Sequence, residues 1–188
     1  MSGASVEIPT FETDNLILRP ITPDDLHSYQ NNFNNYEVIR YLSSFVPWPF
    51  PKNGVEEYYY KTILPKQGKD YWYWSILLKN NTEEMIGGID LWRGSKIDNR
   101  GFWLAQKRWG KGYMTEVVTR INDHAFQDLG FEILYFGNAV TNIGSRKIKE
   151  KTGAKLIGRR LFKFVDPLVN ESEMWELSKE AWLTFRNL

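Results

Sequence analysis

Lysine, arginine and glycine crowd into one octapeptide, Lys107-Arg108-Trp109-Gly110-Lys111-Gly112-Tyr113-Met114. Residues of these types at this spacing can hold an anion. Gly110 and Gly112 carry no side chain, so the backbone there can approach a phosphate closely. A helix opening directly after them offers N–H groups with no intrahelical acceptor, at the positive end of its dipole. Lys107, Arg108 and Lys111 add charge. Two familiar phosphate loops do not fit. A P-loop spaces its glycines more widely and follows the second with Lys-Ser or Lys-Thr, and a dinucleotide fingerprint needs a third glycine and a later acidic residue. Here Tyr113-Met114 follow Gly112. A solvated basic turn stopped by glycine would carry the same residues, so the loop alone names no ligand.

A second set of polar residues lies downstream. In Asn142-Ile143-Gly144-Ser145 the Asn can cap a helix by accepting from the N–H three residues on, and the Ser145 hydroxyl can donate a proton. Asp90, Asp98 and Asn99 fall on or beside strand-like segments. Asp98 and Asn99 are adjacent, so in a strand they face opposite sides.

The elements that must position these groups follow from hydrophobic periodicity. Gly101-Phe102-Trp103-Leu104 ends a strand before the basic turn, and Gly112 to Leu129 reads as a helix. Met114, Val117, Val118, Ile121, Ala125 and Leu129 recur there at three- and four-residue spacing, and Gly130 stops it. Leu16 to Arg19 is a first strand. Thr22-Pro23-Asp24-Asp25 starts a helix, with Asp25 placed to reach back, and a short helix covers Tyr36 to Leu42. Phe45 to Pro51 holds three prolines and is a stiff aromatic loop around Trp48. Gly54 to about Leu64 is helical. Tyr71 to Leu78 and Met85 to Trp92 form a hairpin around a turn at Asn80–Glu84. Further strands are expected at Ile133–Val140, Lys155–Val165 and Glu171–Leu177, with short helices at Asn142–Lys151 and Lys179–Asn187. The result is one α/β domain over residues 1–188, a single mixed sheet of about seven strands with helices on both faces.

Composition limits the chemistry. The chain has no Cys, which excludes disulfides, thiolate zinc sites and a Cys nucleophile. Its two His are far apart and no metal is expected. A net charge of +1 gives no overall field to gather nucleic acid. No stretch approaches about eighteen apolar residues, so no membrane helix is expected. Met1 to Ser5 lacks a leader pattern, which makes the cytoplasm the expected location.

The two polar segments, in this order and register, resemble the Gcn5-related N-acetyltransferases (GNAT). That family opens its central helix with Gln or Arg, two variable residues, Gly, any residue, then Gly or Ala; Lys107 stands at the Gln/Arg position. Asn142-Ile143-Gly144-Ser145 with Glu150-Lys151-Thr152-Gly153 resembles the Asn-x-x-Ser…Glu-Lys-x-Gly segment of the RimJ/RimL-like branch, which acetylates ribosomal-protein N-termini. The resemblance runs from Leu16 to Leu177. It implies a mostly antiparallel sheet with one splayed strand pair, acetyl-CoA as cosubstrate, and an amine acceptor, either a protein N-terminus or a small molecule, in a monomer or homodimer. Trp103, Leu104, the octapeptide, Asn142 and Ser145 would hold the coenzyme, with Ser145 protonating the leaving thiolate. The branch carries Glu where this chain has Asn99, so Asp98 and Asp90 are the carboxylates at hand, with Trp48 and Asp90 assigned to the acceptor side. A non-catalytic acyl-CoA sensor would share these features. A nucleic-acid binder using the same basic residues has no supporting motif.

Overall fold

The computed structural model describes residues 7–187; the reading of Met1 to Ser5 lies outside them. Tyr71–Leu78 (β3) has no polar alternation, and every residue in it is buried. It is therefore the centre of its sheet. Around it stand Phe11–Glu12 (β1), Leu16–Pro20 (β2), Asn81–Trp92 (β4) and Arg100–Leu104 (β5), in the order β1-β2-β3-β4-β5 with every pair antiparallel. The Asn80–Glu84 stretch is not a long turn: β4 begins at Asn81, and register shifts opposite Leu77 absorb the extra residues. Gly88 matters to this sheet. A Cβ there would lie 2.1 Å from Tyr73 Oη and 2.8 Å from Trp103 Nε1, so its absence lets Trp103 donate to Tyr73 Oη across β4 at 3.0 Å.

The expected single sheet is two. Ile133–Ala139 (β6), Lys155–Leu161 (β7) and Glu171–Ser178 (β8) form a separate antiparallel sheet in the order β6-β8-β7. There are eight strands among the described residues, the seven expected plus the two-residue β1. β7 ends at Leu161, and Phe164 makes only an isolated bridge to Ser43.

Helices cover both faces. Tyr113–Gln127 (α5) buries Val117, Val118, Ile121 and Ala125 against Trp74, Ile76, Ile89, Leu134 and Phe136, a core that spans both sheets. On the other face Leu26–Phe33 (α1) and the helical segment 54–66, which runs from Gly54–Tyr58 (α3) to Leu64–Lys66 (α4), pack on Tyr73, Met85 and Trp103. That segment widens over Tyr59–Ile63, just before Pro65, which has no N–H to offer. Asp25 reaches back as the spacing predicts, accepting from the Thr22 N–H at 2.9 Å, and it also accepts from both Arg19 Nη groups and from Ser75 Oγ. The remaining helices are Tyr36–Ile39 (α2), Ile143–Lys151 (α6) and Lys179–Arg186 (α7). No helix among the described residues is long and apolar enough to cross a membrane.

The chain leaves β5, turns through 110–112, runs along α5 and returns in β6 beside β5. The two strands meet at one residue. Asn99 N–H donates to Tyr135 O at 2.8 Å, and the Asn99 side-chain oxygen accepts from Tyr135 N–H at 3.0 Å. The Asn99 Nδ2 donates to Trp92 O and Ser95 O. Beyond this stitch no backbone pair joins β5 to β6 among the described residues. Asn99 is 3% exposed, and all its side-chain hydrogen-bonding groups are engaged. Asn99→Ala would strand one buried N–H and two carbonyls, and denaturant unfolding should show a loss of about 2–4 kcal/mol; a loss under about 0.5 kcal/mol would mean the stitch carries nothing.

Candidate active site

The two glycines of the octapeptide are both left-handed, Gly110 with φ 75° and Gly112 with φ 82°. An added Cβ at either would meet no atom within 4 Å, so the turn is bounded by open space and not by protein. Gly112 is the N-cap of α5 and no side chain caps that end. The N–H groups of residues 110–115 have no acceptor among the described residues. They face a cleft of about 530 Å³ between the start of α5 and the start of α6. Arg108, Lys111, Lys147 and Lys151 line it. Lys107 does not: it pairs with Glu84 at 2.5 Å, Arg108 reaches the same carboxylate at 3.4 Å, and these cations, Lys107 foremost, hold the Glu84 pKa below its usual range. Lys111, Lys147 and Lys151 have no carboxylate partner among the described residues. A row of free amides with three unpaired ammonium groups suits a phosphorylated ligand of several negative charges.

One wall of the cleft is the edge of β5. Ala105 N–H bonds Ile86 O, and Trp92 N–H bonds Asn99 O. In an antiparallel ladder bonding alternates, so Phe102 and Leu104 turn their amides away from β4 and into the gap. The Leu104 carbonyl is taken by Trp109 Nε1 at 2.7 Å, which folds the partly exposed indole over the rim.

At the head of α6 both roles of Asn142 coexist. Its side chain accepts from the Ser145 N–H at 3.1 Å, so it is a helix cap, and it also lines the cleft. Ser145 lines the cleft as well, and its Oγ accepts from Lys149 Nζ at 2.7 Å. Lys149 is 2% exposed. Burial, with repulsion from Arg100, lowers its pKa well below that of a free lysine. Asp98 is half-buried just before β5, and desolvation raises its pKa against the opposing pull of Lys149. Its Oδ1 has no hydrogen-bond partner among the described residues. Arg100 completes the cluster, its guanidinium 3.9 Å over the Phe136 ring and its Nη1 donating to Asn122 Oδ1 at 2.5 Å; burial lowers its pKa to about 9.

A second cavity, of about 630 Å³, opens between α1, the 54–66 segment and the β4–β5 pair. It shares only Phe102 and Trp103 with the first. Its walls are rich in aromatic rings, with Asp90 among them. Asp90 accepts from Tyr71 Oη at 2.6 Å and from Gly101 N–H at 3.0 Å. Burial lifts its pKa to about 6.

The structure thus brings the coenzyme residues named from the sequence into one cleft, apart from Lys107. Asp90 lines the other cavity. Asp98 and Asn99 line neither, and Asn99 is spent on the strand stitch. Trp48 lines neither; it packs on Tyr36 with ring centroids 5.3 Å apart. Sequence reasoning missed Lys149, although it stands four residues after Ser145, on the same helix face.

Two outcomes test this geometry. Gly112→Val forces a branched side chain into a left-handed position and into the mouth of the cleft. Stability should fall by about 1–3 kcal/mol, while affinity for coenzyme A measured calorimetrically falls at least about tenfold; unchanged affinity would remove the amide cradle. For Asp90, the folded pKa near 6 lies above an unfolded value of about 3.9. The folded protein therefore keeps a proton that the unfolded chain has lost between about pH 4 and pH 6, and stability falls across that window as pH rises. Asp90→Asn removes this titration, so the melting temperature of the variant minus that of the parent should climb from pH 4 to pH 6 and then level. Parallel curves would mean that Asp90 titrates normally.

Comparisons with known proteins agree with this geometry. The model for the acetyltransferase (GNAT) domain matches residues 15–155. The chain is 24% identical over 156 residues to the uncharacterized N-acetyltransferase YoaA of Bacillus subtilis, covering 71% of this chain and 78% of that protein. Among solved structures it is similar to spermidine N-acetyltransferase from Vibrio cholerae in complex with CoA and spermine, with a TM-score of 0.73 at 21% identity, covering 89% of this chain and 98% of that one. It is also similar to the ribosomal-protein-S5-alanine acetyltransferase of Vibrio fischeri, with a TM-score of 0.75 at 17% identity, covering 93% and 99%. These last two likenesses concern the fold. With the family's domain matching residues 15–155, most of this chain, and a bare amide turn at the head of its central helix, the chain belongs to the GNAT acetyltransferase family.

Proposed function

We propose that this chain is a single-domain, cytoplasmic, acetyl-CoA-dependent N-acetyltransferase that transfers the acetyl group directly to a primary amine of a small molecule or a protein N-terminus. One observation carries the reading: six consecutive backbone N–H groups, 110–115, without protein acceptors, open onto the same cleft as the Ser145 hydroxyl. The bound coenzyme would supply an activated thioester, so that a C–N bond forms to the amine, the C–S bond breaks, nitrogen gives up a proton and sulfur takes one. The chain's part is then positioning and proton handling.

The 110–115 amides would take the diphosphate, with Lys111, Lys147 and Lys151 around it. The Phe102 and Leu104 amides on the β5 edge are the donors available to a carbonyl oxygen, and donors of that kind favour the charge that develops on it. Ser145 would hand its proton to the sulfur. Lys149 stands behind it as a positioning residue, with its Nζ on the Ser145 Oγ, able to return that proton. Its lowered pKa suits this task, because an ammonium that gives up a proton near neutrality is a better donor than an ordinary lysine. No base is assigned to Asn99, whose carboxamide is hydrogen-bonded throughout. An α-amine, with a pKa of roughly 7.7–8.0, would need less help from a base than a lysine at about 10.4. A sensor that binds acyl-CoA without turnover is the second reading, favoured by that commitment of Asn99.

Two measurements separate these readings. Coenzyme A at one hundred times its dissociation constant should stabilise the protein by about 2.7 kcal/mol in a thermal titration; no shift at millimolar coenzyme would end both. Release of free thiol over a panel of amines, with mass-spectrometric identification of the product, should reveal turnover, and its absence with every class of amine would leave the sensor. Given turnover, Ser145→Ala should lower kcat by about 100-fold at unchanged coenzyme affinity, and Lys149→Met should shift the pH profile of kcat; a Ser145→Ala enzyme with normal kcat would remove the proposed acid.

A further inference from the structure

The second cavity is built for a particular kind of amine, and this inference rests on the N-acetyltransferase reading above. It meets the coenzyme cleft at Phe102 and Trp103 and nowhere else, so an acceptor seated in it would reach the thioester across that wall. Its interior presents ring faces and edges. Tyr29 stacks on Trp103 at 4.8 Å, and Phe33 meets both Trp103 and Phe50 edge-on at 5.2 and 5.1 Å. An aromatic box of this size accepts an apolar or aromatic body and stabilises a cation lying over its rings.

Charge in and around the cavity is sparse and specific. Its lining includes two carboxylates, Asp90 within and Glu57 on an exposed helical turn. Asp90 already accepts two hydrogen bonds, and two oxygens offer about four acceptor directions, so it can still take one ammonium. Beside Asp90 lies a third recess that shares Tyr58, Asp90 and Trp92 with this cavity and is rimmed by Lys66, Lys69 and Arg93, with Asp70 as its only other carboxylate. Those three cations and Asp90 line the same recess. A first ammonium on Asp90 is compensated; a second, further along a chain, would meet either apolar rings or the basic rim, and burying it unpaired is costly.

We propose that the acceptor is a small monoamine with an apolar or aromatic body, its nitrogen held by Asp90 and its body packed among Tyr29, Phe33, Tyr73, Trp92 and Trp103, and that polyamines are excluded by the basic rim. The reaction balances without any further reagent: the ammonium gives one proton to Asp90 or solvent, the nitrogen loses a second as the amide forms, and the departing sulfur gains one.

The test compares phenethylamine, spermidine and an alanine-initiated hexapeptide on the full chain with acetyl-CoA, following thiol release and product mass. In parallel, calorimetry measures binding of phenethylamine to the protein saturated with coenzyme A, so a slow chemical step cannot hide the answer. Phenethylamine should bind, and its kcat/KM should exceed that of spermidine by about 100-fold, the scale set by leaving a buried charge unpaired. Asp90→Asn should raise its KM by at least about tenfold, one lost charge-assisted contact, with the KM for acetyl-CoA unchanged. A preference for spermidine or the peptide, no phenethylamine binding to the coenzyme-loaded protein, or an Asp90→Asn enzyme with an unaltered acceptor KM would each overturn the proposal. If coenzyme A itself fails to bind, the acetyltransferase reading falls with it; if coenzyme A binds and phenethylamine does not, only the acceptor class is wrong.

Discussion

Among the described residues one asparagine hydrogen-bonds the two sheets together along the β5–β6 seam. Asn99 closes the pairing of β5 with β6 by lending a side-chain oxygen where a strand would lend a carbonyl. A continuous ladder would bring β5 and β6 to the ordinary spacing of neighbouring strands and leave no gap. Ending it after a single residue leaves the Phe102 and Leu104 amides facing open space. Everything else in the cleft is arranged around that unpaired edge: the glycine turn at its far end, α6 along one side, and the Phe102–Trp103 pair where it meets the second cavity. The stitch is affordable because Asn99 is satisfied on every polar atom, so its burial strands nothing.

Below the gap lies an uneven set of charges. Arg100 and Lys149 are buried and Asp98 is half-buried, yet no ion pair within 4 Å joins any two of them among the described residues. Several of their polar atoms also lack partners. Such groups are expensive to bury, and the expense appears as pKa values moved toward neutrality. Lys149 Nζ donates its one hydrogen bond among the described residues, at 2.7 Å, to the Ser145 hydroxyl at the cleft wall. Perturbed groups beside a cavity cluster at functional sites.

What could be read from the sequence was local. The glycine turn before α5, the apolar stripe of α5 and the aromatic and aliphatic run of β3 are properties of a few neighbouring residues, and the structure has each of them. The division into two sheets was not legible, because it depends on Asn99 finding Tyr135, 36 positions away. Lys107 and Arg108 read as loop charges free for a ligand; Glu84, on another strand, claims Lys107 and shares Arg108. Lys149 was hidden for the opposite reason. In a run as basic as Arg146-Lys147-Ile148-Lys149 a lysine reads as solvated, and only the tertiary packing buries it. Trp48 drew notice as an aromatic among prolines, but its contact is with Tyr36 and not with either cavity.

The double wall of Phe102 and Trp103 has a kinetic consequence. Because the two cavities have no other lining residue in common, occupancy of one does not block the mouth of the other. Under the proposed reading both guests can be resident together, and the enzyme has no need to store the acyl group on itself between visits. Either spent molecule can depart through its own door while its neighbour stays, so traffic would follow a sequential scheme in which order is set by affinity and not by obstruction.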